Sequence, residues 1–190
     1  MSRAYLLDQL GRDEVYEGEI DFAPEGVEPH INCWNDVDFD TPDGIETVSY
    51  MFVDGAYVRD HIFLDFCEGG HFYRYGFCPE SQIWIEDEMS LVDRISTAVH
   101  ETHERFRMKF KHMDYDTAHG SACEIERRVR LALLKPNVVA PSSDGIVEIL
   151  ALEGSGKDCE ERFCELLEEN AKAAQLAGEQ ANHAVGSKEG

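Results

Sequence analysis

The chain has 190 residues, 43% of them hydrophobic and 29% charged, which is enough for one domain with a hydrophobic core and polar extensions. Its 39 acidic residues outnumber 17 basic ones, so the net charge is −22. A field of this sign repels phosphate backbones and anionic lipid, and we therefore expect neither nucleic acid nor a membrane as a partner. The same field attracts cations and basic peptides.

The sequence also lacks signals for export and for membrane insertion. No stretch approaches the roughly 20 apolar residues of a membrane span, and residues 1–8 lack the long apolar core of a signal peptide. The six cysteines form no CxxC pair and no dense framework, so we expect reduced thiols rather than disulfides. These features predict a cytoplasmic protein.

The chain divides by composition into three parts. Residues 1–46 form an acidic N-terminal extension interrupted by Pro and Gly, in which the acidic run at residues 36–40 is expected to be a solvated loop. Residues 47–135 hold the regular hydrophobic patterns and are expected to form the metal-binding domain argued below. Residues 136–190 are predicted to contain a short strand at residues 146–150, a polar helix and a flexible tail.

Short β-rich segments open the central part. Residues 48–53 run into Asp54-Gly55, a dipeptide typical of β-hairpin turns. Further β-rich runs follow at residues 57–66 and 72–77, and residues 83–85 are predicted to form a last short strand. This pattern predicts a small antiparallel or mixed sheet.

Two helices are predicted to follow the sheet. Ser90 with Asp93 three residues later is typical of a helix start. Apolar residues then recur at steps of three and four, which predicts a helix of about six turns. They are Val92, Ile95, Val99, Thr102, Phe106, Phe110 and Met113. Asp114 begins a second helix that ends near Leu134, so the predicted fold class is α+β.

The first helix carries the stretch His100-Glu101-Thr102-His103-Glu104. At about 100° per residue, His100 and Glu104 lie one turn apart on one face, with Glu101 further round. This is the layout of the H-E-x-x-H zinc helix, in which the first and fifth residues bind metal and the second activates water. Glu104 occupies the fifth position here, and a carboxylate is a competent zinc ligand. His103 lies within about 60° of His100 and is a competing ligand.

A third ligand has to come from another element, because two helical ligands do not hold a catalytic metal. On the second helix, His119, Cys123 and Glu126 share one face. A tight turn between antiparallel helices would bring His119 back to the first helix, so His119 is the candidate third ligand. We expect Cys123 to be a packed thiol and Glu126 to pair with arginine or to orient a ligand. His61 and His71 flank predicted strands and are expected at the surface or rim.

A succession of motifs spans residues 48–130. The motifs are Asp54-Gly55, residues 59–66, Glu68-Gly69-Gly70, Ile83-Trp84-Ile85, His100-Glu101 with Glu104, Tyr115 and Ala118-His119. This succession resembles small zincin-like metallopeptidases of the HExxE type that occur in bacteria, archaea and phages. The resemblance implies one zinc ion bound by His100, Glu104 and His119, with Glu101 as the general base. His103 departs from the family pattern, because it adds a competing ligand.

These features predict a zinc-dependent hydrolase, in first place a peptidase. A bound zinc ion would lower the pKa of a water ligand and polarise a carbonyl group, while Glu101 moves the proton. The acidic surface favours a basic peptide or protein as the substrate. Three alternatives stay open: a non-catalytic acidic metal-binding or protein-interaction module of viral or host-interaction type, a dinuclear carboxylate–histidine oxidase, and a purely structural metal site.

Overall fold

Four strands and five helices make up the part of the chain that the computed structural model describes, residues 29–186, with side chains described to residue 177. The strands are β1 (His30–Thr41), β2 (Gly44–Val53), β3 (Gly69–His71) and β4 (Gln82–Glu86). The helices are α1 (Gly55–His61), α2 (Leu91–Phe110), α3 (Tyr115–Leu133), α4 (Ser143–Gly154) and α5 (Glu160–Gly186). None of these helices is long and apolar enough to cross a membrane.

The strands form one mixed sheet in the order β1-β2-β4-β3. Strand β1 is antiparallel to β2, β2 is parallel to β4, and β4 is antiparallel to β3. Val48 and Tyr50 from β2 and Ile83 and Ile85 from β4 are fully buried in the main hydrophobic core, which the sheet shares with the helices. The predicted α+β class and the mixed sheet are confirmed.

Helix α2 lies against this sheet and is buried through its centre. Ser90 caps its N terminus and accepts a hydrogen bond from the backbone N–H of Asp93 at 3.3 Å, as the sequence predicts. Residues 95–105 are all buried, because strands β3 and β4 cover one side of the helix and helices α3 and α4 cover others. A polar stretch in this position must find its hydrogen-bond partners inside the protein.

Helix α3 runs back along α2 in the opposite direction. Asp114 caps its N terminus by accepting a backbone hydrogen bond at 3.0 Å. Contacts between the helices join late residues of α2 to early residues of α3, since Glu104 meets His119 and His100 meets Glu126. The predicted pair of antiparallel helices is confirmed, and it places polar residues of α3 over the α2 motif.

The segment after β2 differs from the prediction. The Asp54 side chain accepts a hydrogen bond from the backbone N–H of Tyr57 at 2.9 Å and begins helix α1, so Asp54-Gly55 is not a hairpin turn. Aspartate favours helix N-caps as well as turns, and the dipeptide alone is ambiguous. Residues 57–66 are therefore helix and turns, and residues 72–77 are turns whose aromatic rings contribute to a second hydrophobic cluster.

Residues 36–40 form part of strand β1 rather than a solvated loop. Val37 and Phe39 are buried, and the three intervening aspartates are exposed. Buried and exposed residues alternate here with the period of a half-buried strand. The high content of acidic residues made this segment resemble a solvated loop in the sequence. The sheet therefore begins inside the predicted N-terminal extension, of which residues 1–28 lie outside the described part of the chain.

The apolar run at residues 146–150 belongs to helix α4 and not to a strand. Ser142 caps this helix with a backbone hydrogen bond at 3.3 Å, and Ile146 and Leu150 are buried one turn apart. A run of five residues is too short for a periodicity to separate a buried strand from a buried helix. Helices α4 and α5 join the main hydrophobic core. Helix α5 continues to Gly186, beyond the predicted helix end near residue 180, and the rest of the predicted tail, residues 187–190, lies outside the described residues.

A buried ion pair joins α2 to β2. Arg105, whose side chain is 1% exposed, donates to Glu46 Oε1 at 2.6 Å, and Lys109 donates to the same oxygen at 2.7 Å. Glu46→Gln would leave the Arg105 charge buried without its partner, so we expect the free energy of unfolding at pH 7 to fall by about 3 kcal/mol. Urea unfolding followed by circular dichroism measures this loss.

The same pair predicts a pH dependence. Burial disfavours the ionised form of Glu46, but hydrogen bonds from Arg105 and Lys109 outweigh burial and lower its pKa from 4.5. The stabilisation is therefore complete above 4.5 and is lost as the pH falls through the lowered value. The difference between wild type and Glu46→Gln should shrink in that range, with Glu88→Gln as a control. A difference that is the same at every pH would contradict the assignment.

Candidate metal centre

Four ionisable residues of the α2 motif lie inside the protein. The exposed fraction is 6% for His100, 8% for Glu101, 8% for His103 and 2% for Glu104. Buried ionisable groups are costly unless they are paired, hydrogen-bonded or bound to a metal. This stretch is therefore not the solvated face of a surface helix, and its partners decide what it can do.

Two imidazole nitrogens and one carboxylate oxygen converge between α2 and α3. His119 Nδ1 lies 2.9 Å from Glu104 Oε2 and 3.1 Å from His100 Nε2. The third separation, between His100 Nε2 and Glu104 Oε2, is 3.5 Å. Ligand atoms around a tetrahedral ion with bonds of about 2.0–2.1 Å stand about 3.3 Å apart. The three atoms are therefore spaced as one zinc-sized ion requires, with small side-chain adjustments.

His103 does not join this cluster. Its Nδ1 forms a hydrogen bond with Glu153 of α4, and its Nε2 contacts Ser121 Oγ at 3.0 Å and the Nε of Arg107. The offset of about 60° from His100 on the helix is enough to turn the ring toward α4. Of the two competing residues, Glu104 is the one that faces His100 and His119.

His71, which the sequence predicts at the surface or rim, is instead completely buried at the end of β3. Its Nδ1 accepts a hydrogen bond from the backbone N–H of Tyr73 at 3.2 Å, so a neutral ring carries its proton on Nε2 and donates it to Glu104 Oε1 at 3.0 Å. Burial lowers the pKa of His71, although the Glu104 carboxylate opposes this effect. His71 thus holds the Glu104 oxygen that does not face His100 and His119.

The glycine pair before His71 explains how this residue reaches the cluster. A Cβ atom on Gly69 would lie 2.8 Å from Thr97 Cγ2 on α2 and 3.0 Å from the backbone oxygen of Trp84. Only glycine lets β3 pass this close to α2. A histidine that directly follows such a pair was the available sequence signal. His61, by contrast, is exposed as predicted.

Glu126 orients the His100 ring. Its Oε2 lies 2.8 Å from His100 Nδ1, and its Oε1 accepts a hydrogen bond from Arg130 at 2.8 Å. A carboxylate on one ring nitrogen directs the other nitrogen toward a metal and raises its basicity. Glu126 therefore fits both expectations drawn from the sequence, because it pairs with an arginine and orients a candidate ligand.

Removal of the Glu126 charge should weaken metal binding without removing a ligand. We expect Glu126→Gln to lower zinc affinity by about 10- to 100-fold, the usual effect of losing a carboxylate that orients a ligating histidine. Competition with a chromophoric chelator measures the affinity. Glu124→Gln on the same helix is the matched control, since Glu124 is exposed and pairs with Arg128. Equal losses in both variants would point to net charge rather than orientation.

Cys123 offers an alternative ligand set and is exposed rather than packed as predicted. Its Sγ lies 3.5 Å from His119 Nε2, and two trios place ligand atoms within 4.8 Å of one another: His100, His119 and Cys123, and His71, Glu101 and Glu104. Cys123 contacts the nitrogen of His119 that does not meet Glu104. For an ion bound to His119 Nδ1, Glu104 is therefore the better placed second ligand, and Cys123 lies at the other nitrogen of the ring.

Hydrogen bonds from His71 and His100 stabilise the Glu104 carboxylate, as a bound cation also would. Burial disfavours the imidazolium of His100, but hydrogen bonds with Glu104 and Glu126 outweigh burial and raise its pKa to about 11. Burial also opposes ionisation of Glu104, yet hydrogen bonds with His100 and His71 hold its pKa well below the usual range. For Glu101, burial and the Glu104 charge together raise the pKa to about 8. The surroundings thus favour positive charge at the convergence point, and a bound metal would displace protons.

The cluster lies in an open cleft of about 360 Å³, a size typical of small-ligand and peptide sites. Glu68 adds a further acidic group to its lining, and among the described residues Arg74 is the only lysine or arginine that lines it. The Arg74 guanidinium carbon lies 4.2 Å from the ring centroid of Tyr115 and 4.9 Å from that of Tyr75. Among the side chains of residues 29–177, none forms a carboxylate ion pair with Arg74, so the Arg74 charge is available to a bound ligand.

Comparison of the sequence with protein-family models found no matching family, and comparisons with curated proteins and with solved structures found no match either. The resemblance to zincin-like metallopeptidases therefore stays a prediction from sequence motifs. Function has to be inferred from the chemistry of the cleft.

Glu101 lines the cleft beside the three converging atoms but is not one of them. Its Oε2 lies 4.0 Å from His71 Nε2, and no hydrogen bond to another described side chain occupies it. Once Glu101 is ionised, which a cation bound beside it would favour, its carboxylate can take a proton from water. Three candidate metal ligands, the Glu101 carboxyl group and the Arg74 cation in one cleft are groups that metal-assisted hydrolysis of a carbonyl compound would use.

Proposed function

We propose that the protein is a metal-dependent hydrolase that binds one zinc ion through His100, Glu104 and His119. The observation that supports this most is the convergence of His100 Nε2, Glu104 Oε2 and His119 Nδ1 at separations of 2.9–3.5 Å in an open cleft. Two imidazoles and one carboxylate are a common protein ligand set for catalytic zinc.

An open coordination position favours catalysis over a structural role. Structural zinc sites close all four positions with protein ligands, whereas catalytic sites supply three and leave the fourth to water or substrate. The convergence point faces the cleft, and the His119 side chain is 41% exposed there. The three proposed ligands therefore leave a side that substrate can reach.

Each remaining cleft residue has a role in this proposal. Zinc, when bound, supplies Lewis acidity toward a carbonyl oxygen and toward water. Glu101 accepts the proton from the attacking water and passes it to the leaving group. Arg74 stabilises negative charge on the substrate, and the Tyr115 and Tyr75 rings hold the guanidinium in place.

A peptide is the substrate class that we propose, with basic residues next to the scissile bond. The cleft volume of about 360 Å³ accommodates a short segment rather than a large ligand. Glu68 in its lining, with a side chain that is 50% exposed, would attract lysine or arginine side chains of such a segment. The net charge of −22 also attracts basic peptides.

Metal analysis tests this proposal directly. The full chain, purified without chelator and without a histidine tag, should carry about one zinc per chain. A library of basic and acidic peptides should then show hydrolysis that a chelator removes and added zinc restores. Absence of metal binding, together with no turnover in zinc, manganese or cobalt, would exclude the hydrolase.

A non-catalytic metal-binding or interaction module is the second candidate. This candidate is supported by the hydrogen bonds that the side chains of the cluster form with one another. Glu104 contacts His71, His100 and His119. His100 also contacts Glu126. A buried polar network of this kind can serve structure alone. Stoichiometric zinc without turnover of any peptide would favour this candidate.

The free cysteines bear on the compartment. All six are free thiols, and Cys33, Cys67, Cys123 and Cys164 are exposed. Exposed thiols persist in reducing compartments, and we therefore place the protein in the cytoplasm as part of this proposal. Cell fractionation with an antibody to the protein tests the location.

A further inference from the structure

A second cavity borders another side of α2, and it is basic although the chain carries a net charge of −22. Its volume is about 340 Å³, and it shares no lining residue with the cleft. Its cations are Arg107, Lys111, Arg128 and Lys157, which are four of the 17 basic residues in the chain. We call this cavity the basic pocket.

The two carboxylates that line the basic pocket are already engaged. Glu153 forms a hydrogen bond with His103 Nδ1, and Asp158 accepts a backbone N–H at the start of α5 at 2.9 Å. Among the described residues, neither Arg107 nor Lys111 pairs with a carboxylate. These two positive charges therefore have no direct ion-pair partner among the described side chains.

Arg107 is anchored at one end and free at the other. Its Nε donates to His103 Nε2, and His103 is itself held by Glu153 and by Ser121 Oγ at 3.0 Å. A guanidinium has five N–H donors, so its two terminal amino groups stay available. A guanidinium fork fixed in this way binds oxyanions through two parallel hydrogen bonds.

The dipole of α2 explains only part of this arrangement. Arg107 and Lys111 lie at the C-terminal end of α2, where cations interact favourably with the helix. Arg128 comes from the middle of α3 and Lys157 from the connection between α4 and α5, and each also contacts an acidic side chain. Three separate segments bring cations to one cavity, which indicates a site for an anion.

We propose that the basic pocket binds phosphate, either as the inorganic ion or as the terminal group of a small phosphate monoester. The Arg107 fork and the Lys111 ammonium supply the charge-assisted hydrogen bonds that a phosphate dianion needs. Phe106 and Ile125 line the same cavity and offer an apolar surface to the organic part of a monoester. The net charge of −22 disfavours an extended polyanion such as nucleic acid. This inference does not depend on the proposed hydrolase activity.

Isothermal titration calorimetry of the full chain, with and without added zinc, tests the site. The probes are inorganic phosphate and glycerol phosphate at constant ionic strength, with chloride as the reference anion. Both phosphates should bind saturably, and Arg107→Gln and Lys111→Gln should each weaken binding by roughly 10- to 100-fold. Arg127→Gln is the control, because it makes the same change of charge at an exposed position outside the pocket.

The outcomes distinguish the sources of the phosphate. Tighter binding of glycerol phosphate than of inorganic phosphate assigns the pocket to a monoester, and equal binding assigns it to the free ion. Binding that is insensitive to Arg107→Gln, or that Arg127→Gln weakens equally, would overturn the proposal. No saturable binding of either phosphate would overturn it as well. Thermal unfolding of each variant checks that a lost signal does not reflect loss of the fold.

Discussion

Glu104→Ala is expected to lower zinc affinity by more than about 100-fold, a larger effect than the loss of an orienting residue, whereas His103→Ala should leave it near the wild-type value. The reason is geometric: Glu104 Oε2 lies 2.9 Å from His119 Nδ1, while His103 faces Glu153 and Ser121. Metal content after dialysis, together with competition against a chromophoric chelator, gives the two affinities.

Folding stability is a second readout, because both variants remove a buried hydrogen-bonding partner. Glu153 is 5% exposed and pairs with His103, so His103→Ala leaves a buried carboxylate unpaired and should cost about 3–5 kcal/mol of folding free energy. His103→Gln keeps a hydrogen-bond donor for Glu153 and serves as the milder variant if the alanine variant does not fold. Collapse of zinc affinity in His103→Gln, with normal affinity in Glu104→Ala, would reverse the ligand assignment.

Local signals in the sequence were sufficient for the part of the site on α2 and α3. The Ser90 and Asp114 caps and the spacing of the apolar residues define both helices, because capping and periodicity depend only on near neighbours. The angle between positions 100, 103 and 104 on a helix already separates His103 from Glu104. The short connection then brings His119 to His100.

The contribution of His71 depended on long-range structure. β3 is only three residues long and reaches α2 because it is an edge strand paired with β4, next to a parallel β2–β4 pair. Strand order is not encoded in a local pattern. The glycine pair at residues 69–70 was the available hint, and a turn explained it equally well.

Two errors in the fold prediction came from local signals that fit more than one structure. Asp54-Gly55 fits a hairpin turn and a helix N-cap, and the packing of α1 decides between them. The run at residues 146–150 fits a buried strand and a buried helix, and its position over the core selects the helix. Tertiary contacts, and not intrinsic preference, decided both cases.

The burial of so many ionisable groups is itself an argument for function. His71, His100, Glu101, His103 and Glu104 are each at most 8% exposed, and apolar residues in their place would often be as stable or more stable. Perturbed pKa values in a cleft, here of His100 and Glu101, mark functional sites more often than structural ones. This cost favours the proposed metal-binding role over a purely structural network.

Glu101→Gln distinguishes the hydrolase from the binding module. The amide keeps the size of the side chain but cannot accept a proton from water, so hydrolysis of any peptide substrate should fall by about 10²- to 10⁴-fold. Zinc affinity and thermal stability should change little, because Glu101 is not one of the three proposed ligands and forms no hydrogen bond among the described side chains. Steady-state kinetics and chelator competition on the same preparations measure both quantities.

The matched comparisons make this outcome specific to the proton transfer. Glu124→Gln removes the same charge from an exposed position on α3 and should retain full activity. Arg74→Gln should weaken turnover of peptides through loss of a stabilising charge, yet it leaves the proton acceptor intact. Its residual activity should therefore keep a pH dependence set by Glu101, shifted to higher pH because the Arg74 charge lowers the pKa of Glu101, whereas Glu101→Gln should lose that dependence. Equal activity of Glu101→Gln and wild type would exclude Glu101 as the base even if zinc is bound, because a positioned proton acceptor cannot be lost without slowing the chemical step.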